Sequence, residues 1–98
     1  MITADSPDRT ALLLHVRGVV QGVGFRYFVL NLARRSGVDG DVRNQPDGAV
    51  AVEAEGELSR LREFVEAVRE GPPAARISKV EEAWSEGPAR HHGFTITG

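Results

Sequence analysis

Leu12, Leu14 and Val16 alternate with Leu13, His15 and Arg17, the two-residue period of a strand with one face well buried. A loop from Gly18 to Gly24 follows. Beyond it Phe25, Phe28, Val29, Leu32 and Ala33 fall at helical spacing, with Leu30 off the stripe. Arg34 and Arg35 suit the last turn of that helix, and Gly37 is its stop signal. Val38 to Asn44 reads as a second strand, and Val50, Val52 and Ala54 mark a third. Gln45-Pro46-Asp47-Gly48 between them is turn chemistry: proline presets φ, aspartate tolerates the bend and glycine accepts φ > 0. The two strands are therefore expected to form a hairpin. Leu58, Leu61, Phe64, Val65 and Val68 trace a second helical stripe, ended by Gly71-Pro72-Pro73. Ile77 to Trp84 reads as a fourth strand despite poor alternation, and Phe94 and Ile96 suggest a short terminal one.

The order β-α-β-β-α-β predicts an α+β fold, the ferredoxin-like split β-α-β sandwich. Two helices would cover one face of an antiparallel sheet, with a short extra C-terminal strand. At 98 residues the chain is expected to be one domain. Residues 1–10 are polar and expected to form a flexible tail, leaving 11–98 as the folded unit.

Composition narrows the function classes. No apolar run reaches the length of a membrane span, and the first residues lack the apolar core of a signal peptide. No membrane partner is expected, and the cytoplasm is the expected location. The absence of cysteine removes thiol nucleophiles, disulfides and thiolate metal sites. A net charge of −2 argues against a general nucleic-acid-binding surface. No exposed heptad or unusually apolar edge argues for a dimer, so a monomer is expected.

The candidate chemistry sits between the first strand and the first helix. Gly18, Val19, Val20, Gln21, Gly22, Val23 and Gly24 form a loop whose main-chain N–H groups can converge on a phosphate where no Cβ blocks them, with the helix dipole behind. Arg26 adds a permanent forked cation. A cation at this end of a helix opposes the dipole, a local conflict that an anion bound between them would resolve. The loop lacks the Lys-Ser/Thr pair of a Walker loop and the third glycine of the dinucleotide fingerprint. A nucleotide is not indicated, and a smaller phosphate-bearing group remains. Asn44, before the hairpin turn, reads either as a turn-initiating residue or as an amide that holds a water in one orientation. His91 and His92 would point apart on an extended strand and have no evident third ligand, so no metal is expected. His15 reads as a strand-face residue, Glu53, Glu55, Glu81 and Glu82 as exposed charges, and Trp84 and Phe94 as core or sheet-face packing.

The run from Val16 to Arg26 resembles the signature of acylphosphatases, small enzymes that hydrolyse the carboxyl–phosphate bond of acyl phosphates. Gly40, Val42-Arg43-Asn44, Gly48, Val50 and Gly56 resemble the second signature of that family. Gly71-Pro72-Pro73 and Gly93-Phe94-Thr95-Ile96 also fit, so the likeness spans about Leu12 to the C-terminus. The resemblance implies a free-standing enzyme converting a small-molecule acyl phosphate to carboxylate and inorganic phosphate, with no metal and no cofactor. Arg26 would bind the phosphoryl oxygens, loop amides would cradle the phosphate, and Asn44 would orient the attacking water. The family usually places an aromatic residue after Gly40, whereas this chain has Asp41. Asp41 shares strand parity with Arg43 and is expected to point away from Asn44. The competing expectation is a non-catalytic phosphate- or RNA-binding module of the same fold. RNA readers place an aromatic after a basic-Gly pair, whereas Arg17-Gly18 is followed by Val19-Val20.

Overall fold

The structure, a computed structural model, describes residues 8–98. Its elements are β1 (Asp8–Val19), α1 (Phe25–Ser36), β2 (Asp39–Asn44), β3 (Val50–Gly56), α2 (Leu58–Glu70), β4 (Arg76–Pro88) and β5 (Phe94–Ile96). The flexible tail expected over 1–10 lies outside the described residues as far as residue 7. Asp8, Arg9 and Thr10 belong to β1, because β4 runs on to Pro88 and pairs with them as Asp8↔Pro88, Arg9↔Gly87 and Thr10↔Glu86.

The strand order is β4-β1-β3-β2-β5. β1 is antiparallel to β3 and β4, and β2 is antiparallel to β3. β5 lies parallel to β2, so the sheet is mixed rather than wholly antiparallel. The chain leaves β4 at one edge, crosses three strands over residues 89–93 and turns back into the opposite edge. That reversal gives β5 the direction of β2. As a result β1, β2 and β5 all end at one end of the sheet, where the candidate residues lie.

Register explains the core. Leu12↔Ala54, Leu14↔Val52, Val16↔Val50 and Val42↔Val52 stack one apolar face across β1, β3 and β2. The helices cover it with Phe25, Val29, Leu32 and Ala33 from α1 and Leu61, Phe64, Val65 and Val68 from α2. β3, the central strand, is buried at every residue but Glu53. Phe94 is 3% exposed and meets the Phe64 ring edge-on at 6.2 Å, which docks β5 on α2. Burying a side chain of this size contributes about 1.5–3 kcal/mol.

The expectation for Glu55 needs correction. Glu55 is 4% exposed, not a surface charge. Its carboxylate accepts hydrogen bonds from the main-chain N–H groups of Arg90, at 3.0 and 3.1 Å, and of His91, at 3.2 Å. The Arg9 guanidinium approaches to 3.8 Å. A buried carboxylate is tolerable only with such partners, and here it fastens the crossover to the sheet. Trp84, expected in core or sheet-face packing, is outside the core: it stands opposite Leu12 on edge strand β4 and is 40% exposed, with its indole N–H donating to Glu82 at 2.9 Å.

Candidate active site

The loop after β1 is held from below and open above. Val20 is 1% exposed and Val23 packs on the core, so their side chains anchor the turn. Gly18 lies at a bulge in the β1–β4 pairing, where a Cβ would fall 2.0 Å from the Arg76 carbonyl oxygen. Its absence of side chain serves backbone packing. Gly22 and Gly24 both have φ near 78°, and a Cβ on either would meet nothing within 4 Å. Glycine takes this left-handed conformation without strain, and the space over the loop stays clear.

Gly24 is the N-cap of α1 and offers no side-chain hydrogen bond, and the first turn holds no acidic residue. The helix bonds begin with Phe28 N–H to the Gly24 carbonyl at 3.0 Å. The first N–H groups of α1 are therefore left without a side-chain acceptor, and the dipole there favours an anion.

Arg26 is half-buried, and its Nη1 donates to the main-chain oxygen of Gly98 at 2.6 Å. Gly98 comes to this position because Thr97 N–H donates to the Val42 carbonyl at 3.0 Å, continuing the β5–β2 pairing. A Cβ on Gly98 would lie 3.6 Å from the Asn44 nitrogen and 3.0 Å from the Arg43 Cβ. Gly98 thus bonds Arg26 and lies close beside the Arg43–Asn44 backbone. Asn44 closes β2 opposite Val50, and its Oδ1 is buried with no hydrogen-bond partner among the described residues. An acceptor of this kind calls for a donor that the described residues do not supply, a water or a ligand.

The hairpin after Asn44 is tightly closed. Gln45 N–H donates to Ala49 at 2.8 Å, Gly48 N–H to Gln45 at 3.1 Å, and Ala49 N–H to the Asp47 carboxylate at 3.0 Å. The Ala49 N–H and then the Arg17 guanidinium hold the Asp47 carboxyl below its ordinary range. Arg17 meets Asp47 at 3.0 Å. Gln21 joins loop to hairpin from the inside, with Nε2 donating to the carbonyls of Gln45 at 2.8 Å and Ala49 at 2.9 Å.

Asp41 bonds Arg43 at 2.7 Å on the sheet face opposite to Val42 and Asn44. Arg43 also reaches Glu53 at 3.2 Å, so one guanidinium bridges both carboxylates. Asp41, Glu53 and His91 bring potential ligand atoms within 4.8 Å of one another, a grouping that the sequence did not suggest because the crossover supplies His91. His91 meets Glu53 at 3.2 Å, whereas His92 is exposed. Burial raises the Glu53 carboxyl, but the His91 ring and the Arg43 guanidinium outweigh it and hold it below its ordinary value.

Two contacts at the loop end had no short-range signal: the Gln21 side chain, which was expected to contribute only its main-chain N–H, and Gly98. Both depend on partners 24 to 72 residues away.

The acylphosphatase family model matches residues 12–96. A curated acylphosphatase from Thermotoga petrophila is 48% identical over 88 residues, covering 88% of this chain and 94% of its own. The crystal structure of acylphosphatase from Bacillus subtilis superposes with a TM-score of 0.88 at 39% identity, over 91% of this chain and 99% of that one. The structure of an acylphosphatase from Coxiella burnetii gives 0.83 at 32% identity, over 99% and 100% of the two chains.

Proposed function

The chain belongs to the acylphosphatase family and is a hydrolase of acyl phosphates, and we propose that it acts without a metal through Arg26 and Asn44. Arg26 and the main-chain N–H groups of the loop from Gly18 to Gly24 hold the phosphoryl group, and Asn44 orients the attacking water.

The observation that carries this reading is the buried, unpartnered Oδ1 of Asn44. Buried acceptors without partners are rare, and one kept at the open end of a sheet invites a ligand. A water donating one proton to Oδ1 satisfies it and turns a lone pair toward a phosphorus seated on the loop. Arg26 uses one N–H on Gly98 and keeps others of its five for phosphoryl oxygens. The cap of α1, free of acidic side chains, adds positive potential on the same charge.

The chemistry asks for little else. Water adds to phosphorus, the bond between phosphorus and the acyl oxygen breaks, and the carboxylate leaves with the electron pair. A carboxylate is stable unprotonated, so no general acid is needed. The water's proton passes to a phosphoryl oxygen of the substrate. Such a transfer depends on positioning and on stabilising charge over the equatorial oxygens, and a fixed guanidinium with a ring of amides supplies both.

No nucleic-acid partner is assigned. The sheet face left free by the helices carries Arg17, Arg43 and Lys79 interleaved with Asp41, Glu53 and Glu81, and no Phe, Tyr or Trp of the described strands stands on it to stack bases.

The test is hydrolysis of benzoyl phosphate beside a phosphate monoester, both with chelator. Retained turnover on the anhydride, little on the ester and competition by inorganic phosphate are expected. Loss of activity in chelator would refute the metal-free mechanism, and wild-type turnover in both Arg26→Ala and Asn44→Ala would refute the residue roles.

A further inference from the structure

The loop and the hairpin carry the two halves of the proposed chemistry, yet they are separate segments joined through the sheet only by way of β3. Gln21 connects them directly. Both N–H bonds of its side-chain amide are spent on carbonyls of the hairpin, at 2.8 Å on Gln45 and 2.9 Å on Ala49. Gln45 is the residue after Asn44, and Ala49 is the residue that closes the turn against it. Each of these carbonyls already accepts a main-chain N–H within the turn, so Gln21 fills their second lone pairs. The amide is half-buried and comes from the middle of the loop, one residue before Gly22. Gly22 has no side chain to brace it, and its surroundings are open. Without Gln21 the link left nearby is the exposed Arg17–Asp47 pair, which is screened by water and salt.

We propose that Gln21 is a positioning residue: its side chain clamps the phosphate loop to the Asn44 hairpin, so that the anion cradle and the water-orienting amide keep one separation. This rests on the mechanism proposed above. The clamp touches neither phosphate nor water. Its loss leaves the loop N–H groups and Arg26 in place to bind an anion, but frees the distance between bound phosphorus and the water on Asn44. Turnover should suffer and phosphate affinity should not.

The experiment is a double-mutant cycle on benzoyl phosphate, with inorganic phosphate as competing ligand. Gln21→Met keeps the length and burial of the side chain and removes both donors. Its kcat should fall about ten- to a hundredfold, the range expected for a small misplacement of reacting groups. Its inhibition constant for phosphate should stay within about threefold, since uniform anion binding is untouched. In an Asn44→Ala background the same change should cost less than about threefold more, because the group it positions is gone. Gln21→Asn, which falls short of the two carbonyls together, should behave like Gln21→Met and serves if the latter fails to fold. Phosphate affinity falling in step with kcat would overturn the clamp, as would a full, additive loss in the Asn44→Ala background. Undiminished turnover in Asn44→Ala would overturn the clamp and the underlying mechanism together.

Discussion

The Arg26 guanidinium is fixed by the main-chain oxygen of Gly98, 2.6 Å away and 72 residues later in the chain. An arginine held in this way has given up most of its rotamer freedom before substrate arrives, so its remaining donors are preorganised.

Arg26→Ala should therefore lower turnover by about 10²–10³, the loss typical of one preorganised donor. Arg26→Lys should fall nearly as far, since an ammonium lacks the planar fork whose fixed directions reach the main-chain oxygen and the phosphoryl oxygens together. Both variants should unfold within about 0.5 kcal/mol of wild type, as expected for a partly exposed residue. Steady-state kinetics and urea titration check the two halves separately.

Asn44→Ala should separate activity from stability. Turnover is expected to fall by about 10²–10³, while the thermal midpoint holds, because Asn44 Oδ1 makes no hydrogen bond to another described residue that the substitution would break. A clear drop in midpoint would mean that the amide is a structural turn residue instead.

Inorganic phosphate should raise the thermal midpoint of the wild type, its stabilisation growing with the logarithm of concentration to about 2.7 kcal/mol at a hundred times its dissociation constant. The effect should vanish in Arg26→Ala. Scanning calorimetry across a phosphate series checks it, with matched chloride as the control for ionic strength.

Glu55→Ala should destabilise the fold by about 2–4 kcal/mol, since the main-chain N–H groups of Arg90 and His91 lose their acceptor. Urea unfolding with an unchanged slope is the measurement. A loss below about 0.5 kcal/mol would show that water replaces the carboxylate freely.

Acid should weaken the protein in a defined direction. Glu53 titrates below its ordinary value of 4.5 in the folded state, because His91 and Arg43 favour its charged form over the penalty of burial. Its contribution is present at neutral pH and is lost as pH falls below that ordinary value. Glu53→Gln should flatten the dependence of the thermal midpoint between about pH 5 and about pH 3. An unchanged slope would assign the acid sensitivity elsewhere.

Much of this was legible from residue order. Both helices lie under their apolar stripes, and Gln45-Pro46-Asp47-Gly48 makes the expected hairpin. Local pattern suffices there because each element buries one face. β4 escaped full description because, at the sheet edge, most of its residues are exposed and alternation has nothing to report. The parallel entry of β5 follows from the crossover, and the burial of Glu55 from N–H groups 35 and 36 residues further on. At the candidate site, the loop and Asn44 carry local signals, whereas the contacts of Gln21 and Gly98 exist only once the sheet is assembled.

The crossover also sets the order in which the protein comes apart. β5 is three residues long and lies at an edge, and the chain leading to it is tied down by Glu55. Opening this strand separates Gly98 from Arg26 at the cost of withdrawing Phe94 from its contact with Phe64. Amide exchange should reach Thr97, past the end of this edge strand, ahead of Val52 at the centre of the sheet.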